Sequence, residues 1–287
     1  MKGAMTLKWI KWHGAGNDFL IGDWSALYAE SAWQALIAKI SHRHFGIGAD
    51  GVMLVAPSQD PECAARMLYY NSDGSRAAMC GNGIRCFAAH LHRQGMVKEG
   101  SFKVLTDDGP KDVCLSVSEE GYKIKISMGA AVFGSDQIPT VAEKGYMIDE
   151  EIEVSGKKFK ATALRVGVPH LVIEVETLQE SEIRTLGPLI EKHPLFPQKI
   201  NVNVVKQVNA AALEVVTWER GAGLTLACGT GACASFYAFL HAGKTERSGV
   251  VTVPGGVLEI SVDDKEEIFM TGPAVAVAEV ETFEAIK

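Results

Sequence analysis

Two cysteines carry the first chemical signal in this 287-residue chain: Cys80 opens Cys80-Gly81-Asn82-Gly83, and Cys228 opens Cys228-Gly229-Thr230-Gly231, 148 residues later. Each stands immediately before a Gly-x-Gly at the start of a helical stretch. The first turn of a helix has free N–H groups and a partial positive charge, which stabilises a thiolate and can lower a thiol pKa from about 8.5 toward neutrality. Glycines there let an anion, such as a substrate carboxylate, approach bare amides. Two such thiols, one on each side of a bound molecule, suit the inversion of a stereocentre: one thiolate removes a proton and the opposite thiol returns one. The helix-end amides would hold the carboxylate and stabilise charge developing on it. The plainer alternative is that both cysteines are helix caps and the glycines permit tight entry.

The elements that must position these thiols are legible as an internal repeat. Each Cys-Gly-x-Gly leads into an apolar stretch that closes near Gly95 or Gly243, again 148 residues apart. Trp33, Leu36 and Ile40 recur as Ile183, Leu186 and Ile190, both at the spacing of one buried helical face. Gly16 answers Gly167, Gly109 answers Gly256, and Met128-Gly129 answers Met270-Thr271-Gly272. An ordered series of this kind is the signature of a duplicated architecture. Tyr122, Ile124, Ile126 and Met128 alternate with Lys123, Lys125 and Ser127, and Leu258, Ile260 and Val262 alternate with Glu259 and Ser261, the period of half-exposed strands. The stretches from Gly83 to Arg93 and from Gly231 to His241 are apolar nearly all round, so these helices are expected to be buried. The expected fold class is α+β: two pseudo-symmetric duplicated domains, each a curved, mainly antiparallel sheet wrapped around a central helix.

Composition narrows the function. There are 28 Lys and Arg against 35 Asp and Glu, a formal charge of −7 without a basic block, which argues against a nucleic-acid partner. Apolar residues make up 47% and charged residues 22%, which excludes disorder, and the apolar runs are far short of the ~20 residues a membrane helix needs. Lys2, Lys8 and Lys11 interrupt the apolar residues of the opening segment, so no signal peptide is read and reduced thiols in the cytoplasm are expected. Gly46-Ile47-Gly48-Ala49-Asp50-Gly51 fits G-x-G-x-x-G literally, but it follows a helical pattern and precedes a strand, the reverse of a dinucleotide site. Cys86 and His90 at i, i+4, with His42 and His44 nearby, lack the paired spacing of a zinc site, and no metal is expected. Cys63, Cys86, Cys114 and Cys233 read as small apolar core residues.

With these residues in place, the sequence resembles the diaminopimelate epimerase family over nearly its full length. The resemblance rests on His13-Gly14-Ala15-Gly16-Asn17-Asp18-Phe19, Gly46 to Gly51, Asn71-Ser72-Asp73-Gly74-Ser75, Cys80 to Cys86, and Trp218 to Gly223 leading to Ala227 through Cys233. It implies two lobes, 1–128 completed by 273–287, and 129–272, with the active site in the cleft between them. It implies a cofactor-independent isomerase converting LL-diaminopimelate to meso-diaminopimelate, with no cofactor and as a homodimer. Cys80 and Cys228 would be the acid/base pair. Gly81, Asn82, Gly229 and Thr230 would hold the reacting carboxylate, while Asn17, Asn71, Asn201, Glu219 and Arg220 match substrate-binding positions, and His170 and Glu219 match positions that tune the thiols. One departure stands out: Gly167-Val168-Pro169-His170 has Val168 where the family usually has asparagine, and Val168 is the internal mate of Asn17. Ile200, in place of a frequent threonine, is expected to make the same region more apolar. A related racemase of another amino acid is therefore the competing reading, and a thiol/disulfide redox protein is the alternative from a different class.

Overall fold

Alternation of apolar and polar residues becomes a set of strands with one buried face, as at Ile124, Ile126 and Met128, which are buried while Lys123 and Lys125 are exposed. The computed structural model describes residues 7–142 and 144–283; the opening segment that bears on the leader-peptide expectation therefore lies partly outside the described residues. Two compact units emerge, one holding the described residues through Ile126 and from Gly272 onward, the other Ser127–Thr271.

The first unit contains, in chain order, β1 (Leu7–Gly14), β2 (Asn17–Asp23), α1 (Glu30–Ile40), β3 (Gly51–Ala56), β4 (Cys63–Asn71), β5 (Arg76–Ala77), α2 (Gly81–Arg93), β6 (Gly100–Thr106), β7 (Gly109–Ser118) and most of β8 (Gly121–Ala130). The second contains β9 (Glu150–Val154), β10 (Lys157–Val166), β11 (Val168–Glu174), α3 (Glu180–Glu191), β12 (Asn201–Asn209), β13 (Ala212–Glu219), β14 (Gly223–Leu224), α4 (Gly229–His241), β15 (Ser248–Val253), β16 (Gly256–Val262) and the start of β17 (Glu267–Thr282). The later part of β17 pairs antiparallel with β1 in the first unit.

The pairing pattern repeats from one unit to the other. β1/β2 and β10/β11 are antiparallel, β2/β3 and β11/β12 parallel, β3/β4 and β12/β13 antiparallel, and β4/β6 and β13/β15 parallel. Each parallel pair needs a crossover, and the helices supply it: α1 and α3 join the first parallel pair, α2 and α4 the second. The remaining strands are antiparallel hairpins, so each sheet is mixed but mainly antiparallel.

Helices α2 and α4 are the buried ones. Every residue of α2 from Gly81 to Leu91 is buried, and α4 is buried through Phe239 except for Thr230. α2 packs on β1, β2 and β7, and α4 on β10, β11, β12 and β16. Burying Phe87, Leu91 or Phe236 contributes about 1.5–3 kcal/mol each. By contrast α1 and α3 bury one stripe: Trp33, Leu36, Ile37 and Ile40 in the first, and Ile183, Leu186 and Ile190 in the second. Trp9 meets Trp33 edge to face, with ring centroids 6.5 Å apart.

The Gly46–Gly51 segment is a turn from α1 into β3, closed by Gly46 N donating to His42 O and Ile47 N to Ile40 O, each at 2.8 Å. Cys63, Cys86 and Cys233 are core residues, as read from sequence. Cys114 is not: it lies on the outer face of β7, between buried Val113 and Leu115, and is exposed. Among the described residues no helix is long and apolar enough to cross a membrane.

Candidate active site

In the first unit the chain enters α2 through Cys80, whose backbone is extended (φ −140°, ψ 121°) and whose sulfur accepts a hydrogen bond from Gly83 N at 3.4 Å. The cysteine is thus a helix cap whose sulfur faces a first-turn amide. A Cβ on Gly83 would lie 3.2 Å from both the Met53 sulfur and Cys80 Cβ, so packing beneath the turn favours glycine here.

Asn82 is buried, and its Nδ2 donates to Asn17 Oδ1 at 3.4 Å. Asn17 in turn donates from Nδ2 to Asp50 Oδ2 at 2.6 Å. Asp50 comes from the glycine-rich turn and is itself paired with Arg43, which also grips Asp18 through both terminal nitrogens, at 3.2 and 2.8 Å. Burial pushes the Asp18 carboxyl up, but hydrogen bonds from Arg43 and Lys11 outweigh it and bring the group down to about 2. Asn17, Asn82 and the start of α2 therefore form one connected group. Asn71 belongs to a different feature: its Nδ2 donates to Ser75 Oγ at 2.9 Å within a turn closed by Asn71 N to Ser75 O.

In the second unit Cys228 occupies the same capping position (φ −115°, ψ 107°), with Thr230 Oγ1 3.4 Å from its sulfur. Its surroundings differ from the expectation of a lowered thiol pKa. Burial and the Glu219 carboxylate push the Cys228 thiol well up, overriding the Thr230 hydroxyl and the Gly231 amide, which favour the thiolate. Glu219 also accepts from Thr225 Oγ1 at 2.7 Å. Glu219, Cys228, Gly229 and Thr230 thus make one cluster around a protonated thiol.

Asn201 is buried and its Oδ1 accepts from Arg220 N at 2.7 Å, while Arg220 Nη1 donates to Gln198 O at 3.0 Å and the side chain is exposed. His170 is fully buried, with Asn203 Nδ2 3.1 Å from its Nδ1, and burial pushes its imidazole down to about 3. Val168 opens β11 with 38% of its surface exposed. Ile200 is buried in the core cluster with Phe196 and Val202.

The sequence reading does not single out Asp50, Asn203 or Thr217, and Asp50 enters it only within the glycine motif. A signal for Asn203 was present: it is two residues from Asn201 on the same strand face, in a run that is otherwise Val202-Asn203-Val204-Val205, and the repeat aligns it with Met53. Among the described residues no group of three metal-ligating side chains converges. Cys86 and His90 are both buried; His90 Nδ1 accepts from Trp12 Nε1 at 3.3 Å, and burial pushes the Cys86 thiol up to about 12.

Comparison with known proteins identifies the family. The sequence profile of the family described as diaminopimelate epimerase matches residues 9–134 and 162–277. The diaminopimelate epimerase of Alkaliphilus metalliredigens is 40% identical over 271 residues, covering 94% of this chain and 95% of the relative. That of Methanothermobacter thermautotrophicus is 43% identical over 274 residues, covering 93% and 95%. Among solved structures, a hydroxyproline epimerase from Agrobacterium vitis superposes with a TM-score of 0.71 at 14% identity, covering 98% of this chain and 92% of that one. A phenazine biosynthesis protein from Bacillus anthracis gives 0.71 at 16% identity, covering 97% and 99%. These two likenesses are of fold.

Proposed function

The chain belongs to the diaminopimelate epimerase family and is an isomerase, and from that premise we propose that it interconverts LL- and meso-diaminopimelate with Cys80 and Cys228 as its acid/base pair. One observation carries the reading: each cysteine occupies the N-cap position of the buried central helix of its own unit and is followed by the same Gly-x-Gly. In the reaction, the Cys80 thiolate takes the α-proton and becomes a thiol. Negative charge spreads from the α-carbon into the substrate carboxylate, where the first-turn amides of α2 and α4 stabilise it. The Cys228 thiol then delivers its proton to the opposite face and becomes a thiolate, completing inversion without net loss or gain of protons. The reverse direction exchanges the two roles. The raised affinity of Cys228 for its proton suits its entry into the cycle as the acid.

Substrate recognition follows from the polar groups around each helix start. Asn17, Asn82 and Asn201 offer amides to carboxylate oxygens, Arg220 a planar guanidinium to a distal carboxylate, and Glu219 an acceptor to an ammonium, while Asn71, held in its own turn by Ser75, enters the set only through the resemblance. The proposal includes a cytoplasmic location, where both thiols stay reduced, and a homodimer like that implied by the resemblance. The decisive experiment follows stereoinversion of diaminopimelate under reducing conditions: Cys80→Ala and Cys228→Ala each abolish it, while activity surviving in either variant contradicts the assignment.

A second reading, racemisation of another amino acid, is favoured by Val168, which is exposed and cannot donate the hydrogen bond that its internal mate Asn17 can. Going without one hydrogen bond to a charged group costs about 1.5–3 kcal/mol, enough to weaken one substrate relative to others. A panel of amino acids in heavy water separates the two readings: α-deuterium entering another substrate much faster than diaminopimelate favours the second.

A further inference from the structure

Beneath the first turn of each central helix, three positions are equivalent in the two units but differ in chemistry. Strand register fixes the equivalence. Phe19 stands beside Gly51 across parallel β2/β3 as His170 stands beside Asn201 across parallel β11/β12, and Met53 faces Tyr69 as Asn203 faces Thr217. In the first unit the trio is apolar and aromatic: Phe19 and Tyr69 meet edge to face at 6.3 Å, and the Met53 sulfur packs under Gly83. In the second unit the trio is His170, Asn203 and Thr217, all buried, with Asn203 hydrogen-bonded to each of the other two.

The hydrogen bonds determine where the imidazole proton sits. Asn203 Nδ2 lies 3.1 Å from Leu171 O and 3.1 Å from His170 Nδ1, and Thr217 Oγ1 donates to Asn203 Oδ1 at 2.9 Å. A backbone carbonyl only accepts, so the amide nitrogen must face Leu171 O, and the flipped orientation would set two oxygens against each other. The same nitrogen faces His170 Nδ1, which must therefore accept. A neutral imidazole with an accepting Nδ1 carries its single proton on Nε2, and that atom is buried without a hydrogen-bond partner among the described residues. Buried polar groups without partners are uncommon, and each calls for an explanation.

We propose that Asn203 is a positioning residue that locks His170 in the Nε2–H tautomer, so that the imidazole offers a proton and not a lone pair at Nε2. A donor there stabilises a thiolate or a substrate carboxylate, whereas a lone pair would compete for the proton being moved. This deepens the epimerase reading, in which His170 tunes a thiol, and rests on it for its kinetic consequences. The Thr217 hydroxyl and the Leu171 carbonyl hold the amide; Asn203 transmits that orientation to the ring.

The test combines a spectroscopic and a kinetic readout on the full chain. Nitrogen-15 spectra of labelled protein, with the His170 signals assigned through His170→Phe, report which ring nitrogen bears the proton. A protonated Nε2 and a bare Nδ1 near pH 7 are expected, and Asn203→Asp, whose carboxylate accepts from Nδ1, moves the proton to Nδ1. Asn203→Met, which copies Met53 of the first unit, lowers kcat about 10²-fold with KM nearly unchanged, and adding it to His170→Phe lowers kcat no further. A proton on Nδ1 in the unaltered protein overturns the proposal, as does an equal loss from Asn203→Met with and without His170. The spectra require no turnover, so an inactive protein with the expected tautomer would count against the epimerase reading and leave the tautomer assignment intact.

Discussion

The Cys228 thiol is held protonated by burial and by the Glu219 carboxylate beside it, against the pull of the Gly231 amide, while the Cys80 sulfur accepts from the Gly83 amide at 3.4 Å. Both copies of the motif thus set a first-turn amide against the sulfur, and at Cys228 a carboxylate and burial act against that amide. Replacing Glu219 with Gln removes the negative charge but keeps the shape, so the Cys228 thiolate should form at lower pH. The pH profile of Cys228 alkylation by a small reagent should shift downward in Glu219→Gln; an unchanged or upward-shifted profile contradicts this assignment.

Asp50 fixes the side chain of Asn17 at 2.6 Å. Asp50→Ala should leave Asn17 free to rotate and weaken substrate binding, raising KM roughly 10-fold, in line with the ~1.5–3 kcal/mol of a charge-assisted hydrogen bond. A smaller effect on kcat is expected. Steady-state kinetics decide it, and an unaltered KM would show that Asp50 serves the Arg43 and Asp18 ion pairs alone.

The second glycine of each motif should differ in its tolerance of a methyl group. A Cβ on Gly231 would collide with Asn203 Oδ1 and lie 3.0 Å from Thr217 Oγ1, both held in the buried hydrogen-bonded trio. At Gly83 the nearest neighbours are 3.2 Å away and include the flexible end of Met53. Gly231→Ala should therefore cost about 1–3 kcal/mol, and Gly83→Ala less. Urea denaturation midpoints of the two variants test the order, and equal losses would contradict it.

Stability should fall on the acid side. Burial pushes the imidazoles of His90 and His170 from the ordinary 6.5 down to about 4 and about 3, so below pH 6.5 the unfolded chain binds protons that the folded chain refuses. Their contribution is complete above 6.5 and is lost as pH falls through that window toward 3. Asp18 acts in the same direction at lower pH: its carboxyl, lowered from 3.8 to about 2, supports the fold above 3.8 and loses that support as pH approaches 2. Denaturation midpoints measured at pH 7.5 and pH 5 should drop for the unaltered protein and drop less for His170→Phe, whereas equal drops would exclude His170 as a source.

Much of this architecture could be read from the sequence because duplication writes each element twice. The Cys80 and Cys228 motifs, the helical faces at Trp33 and Ile183, and the alternation at Ile124 and Leu258 all mark elements that the structure contains. What could not be read depends on register between distant strands. Asp50 reaches Asn17 only because β3 lies beside β2, and Asn203 meets Thr217 only through the pairing of β12 with β13. Exposure of Cys114 and burial of Ile200 turn on which face of the chain packs inward, a property that residue type alone does not set. The raised Cys228 thiol likewise reflects its burial together with Glu219, nine residues earlier on β13, outweighing the helix amide beside it.

The central claim, that two separate thiols move two different protons, is tested most directly by running the reaction in heavy water and stopping it early. With one acid/base group on each face, deuterium should enter the newly formed stereoisomer while the remaining starting isomer keeps its original hydrogen, and this should hold in both directions. Deuterium appearing at comparable rates in both isomers, or product that retains the original hydrogen, would contradict the account.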